Sequence, residues 1–213
     1  MAMFDKRSLV DQVYEELRKE IVTLKYPLGS KINVNELQNE MGVSCTPIRE
    51  AINRLQQEGL IVYKNKIGAQ VVAIDIHDLE AIQELAMTLH KAAIHFAMER
   101  GDRKSIVKNL HIYLDDFIKA KTPADLVEAV HQMVGVFYHN CGNERLDHTM
   151  VSIQGLQLVL RNWYAKIGIQ KEADLADFTR MVKATEEGNA DEACSALQSA
   201  TDRSSSTILA TLK

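Results

Sequence analysis

Apolar residues recur at three- and four-residue steps along almost the whole of this chain, and the pattern is broken once, at residues 60–73. A period of three to four residues predicts helices that bury one face. At the break, residues 60–63 and 70–73 are rich in Val, Ile and Tyr, which favour short strands. The chain is therefore predicted to be mainly helical, with one small hairpin near its first third.

Three short helices are predicted before the hairpin. The first begins after Ser8 as its N-cap, and the second begins after Asn33 or Asn35 and ends at Gly42. The third begins at Ser44, whose hydroxyl can accept a hydrogen bond from a free backbone N–H. Three helices followed by a hairpin is the order of a winged helix-turn-helix, in which the third helix enters the major groove and the hairpin forms the wing.

The outward face of the third helix carries side chains suited to DNA. Arginine forks can bind phosphate or guanine, and an asparagine amide can bind adenine or phosphate. The candidate DNA-binding residues are Ser44, Thr46, Arg49, Glu50, Asn53 and Arg54 on this helix, and Lys64 and Lys66 at the tip of the wing. The alternative is a solvated face on which Arg49 pairs with Asn53 and Glu50 with Arg54, next to lysines that only protect a strand edge.

Composition narrows the class of protein. Residues 1–74 carry 10 Lys and Arg against 9 Asp and Glu, so the DNA hypothesis rests on local pattern and not on net charge. No apolar run reaches the roughly 18 residues that span a bilayer, and residues 1–9 carry charges instead of the core of a secretory leader. We therefore expect a soluble cytoplasmic protein with no membrane partner.

Enzymatic and metal-binding classes receive no support from motifs. The sequence contains no Gly-x-Ser-x-Gly, no His-Glu-x-x-His and no phosphate-binding glycine loop, so we predict that the protein is not an enzyme. Its three cysteines, Cys45, Cys141 and Cys194, have no paired spacing, which argues against a disulfide framework or a zinc site.

Helical periodicity continues through the remaining two thirds of the chain. Six helices are predicted, over about residues 78–100, from Asp102 to Thr122, and over about residues 124–140, 144–167, 172–187 and 190–211. Short connections predict an antiparallel bundle of about six helices. We expect residues 1–74 to form the DNA-binding domain and residues 75–213 a second, all-α domain.

A family resemblance is carried by three groups of residues. They are Ile21, Pro27 and Gly29, then the segment MGVSCTPIREA at residues 41–51, and then Leu55, Glu58, Gly59 and Leu60. This spacing, over nearly all of residues 9–73, resembles the GntR family of transcriptional regulators. The resemblance implies a sequence-specific DNA-binding protein with a winged helix-turn-helix.

Cys45 departs from the family pattern. The family has Ser-Arg-Thr-Pro where this chain has Ser44, Cys45, Thr46 and Pro47, so an arginine that reaches DNA in relatives is missing. We expect DNA binding to be weakened or retargeted. A second hypothesis is that the Cys45 thiol, at a helix N-terminus, is oxidised and switches DNA binding.

The six-helix segment is similar to the C-terminal domain of the FadR-like branch of this family, called FCD. The resemblance implies a dimer and a small effector bound in the core of the bundle. Many FCD domains also hold a divalent metal with one Asp and three His, and those four positions fall here on Val130, Val134, Phe178 and Ala200. We therefore predict neither a metal nor any other cofactor.

The family's inward Arg and Glu on the first bundle helix fall on Ala86 and His90, which predicts a less polar cavity than in relatives. An apolar or amide-type effector is the resulting hypothesis. The candidate pocket residues are Ala86, His90, Val130, His131, Val134, Gln157, Arg161, Tyr164, Phe178 and Ala200. For the polar members, an ordinary core or surface role is the alternative.

Together these inferences predict a homodimer that reads a pseudo-palindromic site on double-stranded DNA. Binding of an effector would change the spacing of its two DNA-binding heads. Repression is the mode that we expect, and activation stays open. The alternatives are a constitutive DNA-binding dimer with a degenerate, ligand-free bundle, and a helical enzyme or metabolite-binding module that has kept a vestigial head.

Overall fold

The computed structural model describes residues 8–212, which divide into two compact units between Ile74 and Asp75. Most of the segment on which we based the expectation of no secretory leader, residues 1–7, lies outside the described residues. No helix in the described part of the chain combines the length and apolar character needed to cross a membrane.

The first unit contains three helices followed by a hairpin. The helices are α1 (Leu9–Val22), α2 (Val34–Met41) and α3 (Cys45–Gln57), and the strands are β1 (Ile61–Lys64) and β2 (Gly68–Val71). The strands are antiparallel, and Ile61 lies opposite Val71. The core lies between α1 and α3, where Leu17, Ile21, Ile48, Ile52 and Leu55 are 0% exposed. These elements confirm the predicted winged helix-turn-helix.

The helix ends explain why the chain turns where it does. Ser8 and Asp11 form a reciprocal capping box on α1. Asn33, not Asn35, caps α2, and Gly42 ends that helix in the left-handed conformation with φ 65°. The predicted hydrogen bond from a backbone N–H of α3 to the Ser44 hydroxyl is not formed, although the Ser44 backbone has N-cap geometry. Ser44 is exposed, so water can satisfy those groups instead.

One extended residue pairs with strand β2 of the hairpin, and the sequence did not predict it; we call this residue, Lys31, and its immediate neighbours the third edge. Lys31 forms an isolated antiparallel bridge with Gln70. On either side of that bridge, the Ile32 N–H donates to the carbonyl of Ala69 at 2.9 Å, and the Val71 N–H donates to the carbonyl of Ser30 at 2.9 Å. Because only one residue pairs, no alternating pattern marks this segment in the sequence.

The second unit consists of six helices in its described residues. They are α4 (Ile76–Arg100), α5 (Arg103–Lys119), α6 (Pro123–Asn140), α7 (Glu144–Gly168), α8 (Lys171–Glu187) and α9 (Ala190–Leu209). Capping boxes start two of them, at Asp75 for α4 and at Thr122 for α6. Gly188 ends α8 with φ 79°. The predicted helix order is confirmed, and the predicted ends agree with these bounds to within about two or three residues.

The helices enclose one large apolar core. Helix α4 packs against α6, α7 and α9, and α8 packs against α5 and α9. Phe117 and Phe178 meet edge to face at the centre of this core, with ring centroids 5.1 Å apart. The core positions α7 so that one face of it is turned toward α4 and α6.

Candidate nucleic-acid interface and bundle cavity

Helix α3 separates its apolar and polar side chains cleanly. Pro47, Ile48, Ala51, Ile52 and Leu55 are buried. The six candidate DNA-binding residues of this helix and its N-cap are all exposed, namely Ser44, Thr46, Arg49, Glu50, Asn53 and Arg54. The polar face of α3 is thus free to enter a DNA groove from the first unit.

Arg54 is the exception among these exposed residues, because it is already paired. Its Nη1 lies 2.6 Å from Oδ1 of Asp11 on α1, and its guanidinium lies 6.0 Å from the centre of the Tyr14 ring. Hydrogen bonds from Ser8 and Arg54 lower the pKa of Asp11 to about 2. Arg54 therefore joins α3 to α1, and sequence reasoning missed this because Asp11 lies 43 residues away.

A second tie between α1 and α3 involves Glu58, the C-cap residue of α3. The Tyr14 hydroxyl donates to one of its carboxylate oxygens, and Arg18 Nε donates to the other at 2.8 Å. Burial and the hydrogen bond to Glu58 raise the pKa of Tyr14 to about 12. The recognition helix is thus fixed on α1 by its inner polar edge as well as by its apolar face.

Three of the four candidate DNA-binding cations have no such partner. Within residues 8–212, the side chains of Arg49, Lys64 and Lys66 form no hydrogen bond or ion pair, so the alternative pairing of Arg49 with Asn53 is not formed. Both lysines are exposed at the wing tip, and Lys66 has φ 65°. Lys31, on the short third edge, is a further exposed cation that the sequence gave no reason to select.

Cys45 occupies the first position of α3 and is half-buried. Its predicted effects on DNA affinity and its hypothetical oxidation remain predictions.

A cavity of about 70 Å³ lies inside the second unit, and we call it the central cavity. Seven of the ten candidate pocket residues line it: His90, Val130, Gln157, Arg161, Tyr164, Phe178 and Ala200. Eight lining residues were not predicted: Gln83, Leu126, Val127, Ile169, Asp174, Leu197, Thr201 and Ser204. The sequence could have indicated Gln83, because it lies seven residues before His90 and therefore on the same face of α4.

The other three candidates lie elsewhere. His131 and Val134 line a neighbouring side cavity of about 180 Å³, which Gln157 and Arg161 also line. Ala86 is fully buried and does not line the central or the side cavity.

His90 is a buried, neutral group on the cavity wall. Its Nδ1 lies 2.9 Å from the Tyr138 hydroxyl, and the two rings meet edge to face at 5.7 Å. Burial, followed by the nearby charge of Arg161, lowers the pKa of His90 to about 3. His90 therefore contributes hydrogen-bonding capacity but no charge at neutral pH.

A network of charged and polar side chains borders the central cavity at Tyr164 and Asp174. Arg203 on α9 bridges Asp174 and Asp177 on α8, whose side chains are 4% and 8% exposed. The Tyr164 hydroxyl donates to Asp174 at 3.0 Å and accepts from the Gln170 N–H at 2.9 Å. Burial raises the pKa of Asp174. The two negative charges of this network are therefore compensated by Arg203 together with Arg180, whose Nη2 lies 3.5 Å from Oδ1 of Asp177.

The cavity does not fit the divalent metal that many FCD domains hold. Val130, Phe178 and Ala200, which occupy three of the four ligand positions, line the central cavity with apolar side chains, and Val134 lines the side cavity. Hydrocarbon side chains cannot coordinate a cation. Across residues 8–212, no group of three or more His, Cys, Asp or Glu is placed to hold a metal ion elsewhere.

A winged helix-turn-helix with an exposed polar recognition helix, followed by a six-helix bundle, defines a class of DNA-binding transcriptional regulators. Two family models match the chain: bacterial regulatory proteins of the gntR family over residues 9–71, and the FCD domain over residues 81–203. The chain belongs to the GntR family of transcriptional regulators, in the group with an FCD domain. Its members are regulators and not enzymes.

Individual relatives agree with this assignment. An HTH-type transcriptional regulator from the ttuE-ttuC' intergenic region of Agrobacterium vitis is 29% identical over 149 residues, covering 67% of this chain and 79% of that protein. YdhC, an HTH-type regulator of Bacillus subtilis, is 27% identical over 95 residues, covering 45% of this chain and 42% of YdhC.

Among solved structures, a GntR transcriptional regulator from Rhodococcus sp. RHA1 has a TM-score of 0.78 at 16% identity. The match covers 96% of this chain and 99% of that one. At this identity the similarity supports the fold alone.

Proposed function

We propose that this chain is an effector-responsive, homodimeric regulator whose two recognition helices and wings read a pseudo-palindromic DNA site. The observation that carries the proposal is the set of unpaired, exposed cations Arg49, Lys64 and Lys66 on α3 and the wing of one compact unit. Cations without an internal partner are available to phosphate oxygens and base edges.

The proposed DNA contacts differ in kind. Arg49 and Asn53, four residues apart on the outer face of α3, are suited to reading base edges. Ser44, Thr46 and Glu50 lie on or beside the same exposed face, and Lys64 and Lys66 are suited to phosphates next to the groove. Arg54 contributes less, because its guanidinium is bound to Asp11.

Dimerisation is supported by the surface of the bundle as well as by the symmetry expected of the operator. Helices α4 and α7 pack against each other, and each exposes a large apolar side chain: Leu85 is 45% exposed and Val151 is 52% exposed. Burying such groups against a second copy is favourable. Light scattering that gives twice the chain mass of 24.0 kDa would support the dimer, and a monomer at micromolar concentration would contradict it.

The central cavity supports the effector part of the proposal. A constitutive, ligand-free dimer would need no cavity, and the close packing of protein interiors disfavours empty space. Here the bundle retains about 70 Å³ lined by both polar and apolar groups. A small molecule that binds there and changes DNA affinity is the simplest use of that space.

Selection from sheared genomic DNA at low salt tests the DNA-binding proposal directly. The expected result is enrichment of fragments that share two half-sites about 10 base pairs apart, or a multiple of that spacing, protected by one dimer. A chain carrying both Lys64→Gln and Lys66→Gln should bind every enriched fragment more weakly. Absence of binding to any fragment at low salt would contradict the proposal.

A further inference from the structure

Positive charge is concentrated on the small sheet of the first unit. Residues 1–74 as a whole carry 10 Lys and Arg against 9 Asp and Glu. The two segments that build the sheet, residues 26–35 and 60–74, contain Lys31, Lys64 and Lys66 and no acidic residue. The sheet is therefore a locally basic surface on a nearly neutral unit.

The third edge holds Lys31 with its side chain turned outward. Two backbone hydrogen bonds fix this edge on β2. In an extended segment, successive side chains point to opposite faces. Ile32 is 3% exposed and the Ser30 hydroxyl is buried, so both neighbours of Lys31 point inward. The ammonium group of Lys31 is thus directed toward solvent.

The register of the sheet places Lys31 and Lys64 on one face. Lys31 lies opposite Gln70, and Gln70 lies opposite Val62. Paired residues share a face, and so do residues two apart on a strand, which adds Lys64 to the set. With strands about 4.8 Å apart and a rise of about 3.4 Å per residue, the Cα atoms of the two lysines lie about 12 Å apart. We call Lys31, Gln70 and Lys64 the outer face.

The polar groups of the outer face are not used within the protein. Lys31 and Lys64 are exposed, and neither forms an ion pair or hydrogen bond through its side chain with any residue from 8 to 212. The amide of Gln70, which is half-buried between them, is equally without a partner in that range. The outer face therefore offers two ammonium groups and one amide NH₂ group to an external oxyanion.

The outer face is connected to two elements that approach the DNA backbone in a winged helix-turn-helix. The first helix of the helix-turn-helix crosses the backbone while the second enters the groove, and here these helices are α2 and α3. Lys31 lies three residues before Val34, the first residue of α2. It also pairs with β2, one of the two strands of the wing. A cation at this place is within reach of the backbone that both elements approach.

We propose that the outer face is a second phosphate-binding surface, on which Lys31 and Lys64 bind backbone phosphates beside the half-site that α3 reads. This inference rests on the DNA-binding part of the proposed function. An ammonium group binds phosphate as a point charge and carries no base preference, so the surface adds affinity for any DNA sequence. A lysine that only protects a strand edge from pairing would add none.

The salt dependence of DNA binding tests the role of Lys31. A dimer presents two copies and each phosphate contributes about 0.9, so Lys31→Gln should lower the slope of log K against log salt by about 1.8. At about 100 mM potassium chloride, Kd should rise about tenfold or more, for operator and scrambled DNA alike. The control is Lys19→Gln, which removes an exposed, unpaired lysine of α1 and should change neither quantity.

Two further measurements separate phosphate binding from a structural role. Lys31 has no internal partner, so Lys31→Gln should leave the melting temperature unchanged, and Lys31→Arg, which keeps the charge, should keep the slope. In ethylation interference, at least one phosphate beside each half-site should matter for wild-type binding and no longer matter for Lys31→Gln. An unchanged slope and interference pattern would overturn the proposal and leave Lys31 as edge protection. Weakened binding of the operator alone would also overturn it, because that result indicates a base contact.

The same titrations distinguish failure of this inference from failure of the proposed function. A wild-type protein that binds no DNA at low salt would overturn both. A wild-type protein that binds its operator, together with a Lys31→Gln variant that binds equally well with an equal slope, would sustain the proposed function and overturn the outer face alone.

Discussion

Arg49 and Arg54 form a natural pair for testing how α3 binds DNA. They lie on the same helix and both are exposed, but Arg54 is held by Asp11 at 2.6 Å and Arg49 has no partner among the described residues. We predict that Arg49→Ala strongly weakens operator binding and that Arg54→Ala has a small effect. The sequence alone treats the two arginines as equivalent.

The expected rise in Kd follows from the number of DNA contacts that each substitution removes. A dimer presents two copies of Arg49, and each lost phosphate or guanine contact costs about 1–3 kcal/mol, so Arg49→Ala should raise Kd at least about 30-fold. If the contacts are to phosphates, the slope of log K against log salt should fall by about 1.8, since each phosphate contributes about 0.9. Arg54→Ala should raise Kd less than tenfold and leave the slope unchanged.

Fluorescence anisotropy with labelled operator, over about 50–300 mM potassium chloride, measures both quantities. Arg49→Lys separates the two kinds of contact, because it keeps a charge for phosphate and loses the bidentate fork that recognises guanine. Equal losses in affinity and slope for Arg49→Ala and Arg54→Ala would refute the reasoning. So would an Arg49→Ala protein that binds like the wild type.

Three further predictions concern the wing, the start of α3 and the bundle. Lys66→Asn removes a charge from the wing and supplies a residue that tolerates the observed φ of 65°, so the melting temperature should not change. In anisotropy titrations, binding to the operator and binding to scrambled DNA should be weakened equally. Cys45→Arg should tighten operator binding about tenfold or more. If peroxide lowers the operator affinity of the wild type and leaves that of Cys45→Arg unchanged, the oxidisable-thiol hypothesis is supported. Arg203→Met leaves Asp174 without an ion-pair partner and Asp177 with Arg180 alone, at 3.5 Å, and should cost about 3 kcal/mol in urea unfolding at pH 7. Burial raises the pKa of Asp174 and Arg203 opposes that rise, so in the variant this carboxyl should take up a proton at a higher pH than in the wild type. The cost should therefore shrink as pH is lowered, and a cost that does not change with pH would contradict this reasoning.

Local pattern was sufficient to predict the elements of both units. Caps such as Ser8 and Asp75, left-handed glycines such as Gly42, and uninterrupted apolar periodicity act within a few residues, so the sequence displays them directly. The third edge at Lys31 was not predictable, because a single bridged residue has no period.

The candidate sites depended on contacts between distant parts of the chain, and there the sequence was less informative. Asp11 lies 43 residues from Arg54, so no spacing rule reveals that pair. In the bundle, Gln157, Arg161 and Tyr164 share one face of α7 and were predictable by helical spacing. Ala86 and Val134 were selected by correspondence with relatives, and neither lines the central cavity.

The charge of the central cavity shows how far binding-site residues can be predicted from the aligned positions of relatives. Correspondence places Ala86 where relatives have an inward arginine, and hydrocarbon side chains where they have metal ligands, which predicts a less polar cavity than in relatives. The structure also places Arg161, a candidate from α7 that was selected by its helical spacing, on the cavity wall, where it forms no ion pair with the described residues. A binding site needs a charge at a place in space, and any helix that borders that place can provide it. Aligned positions therefore predict the location of this cavity better than its chemistry.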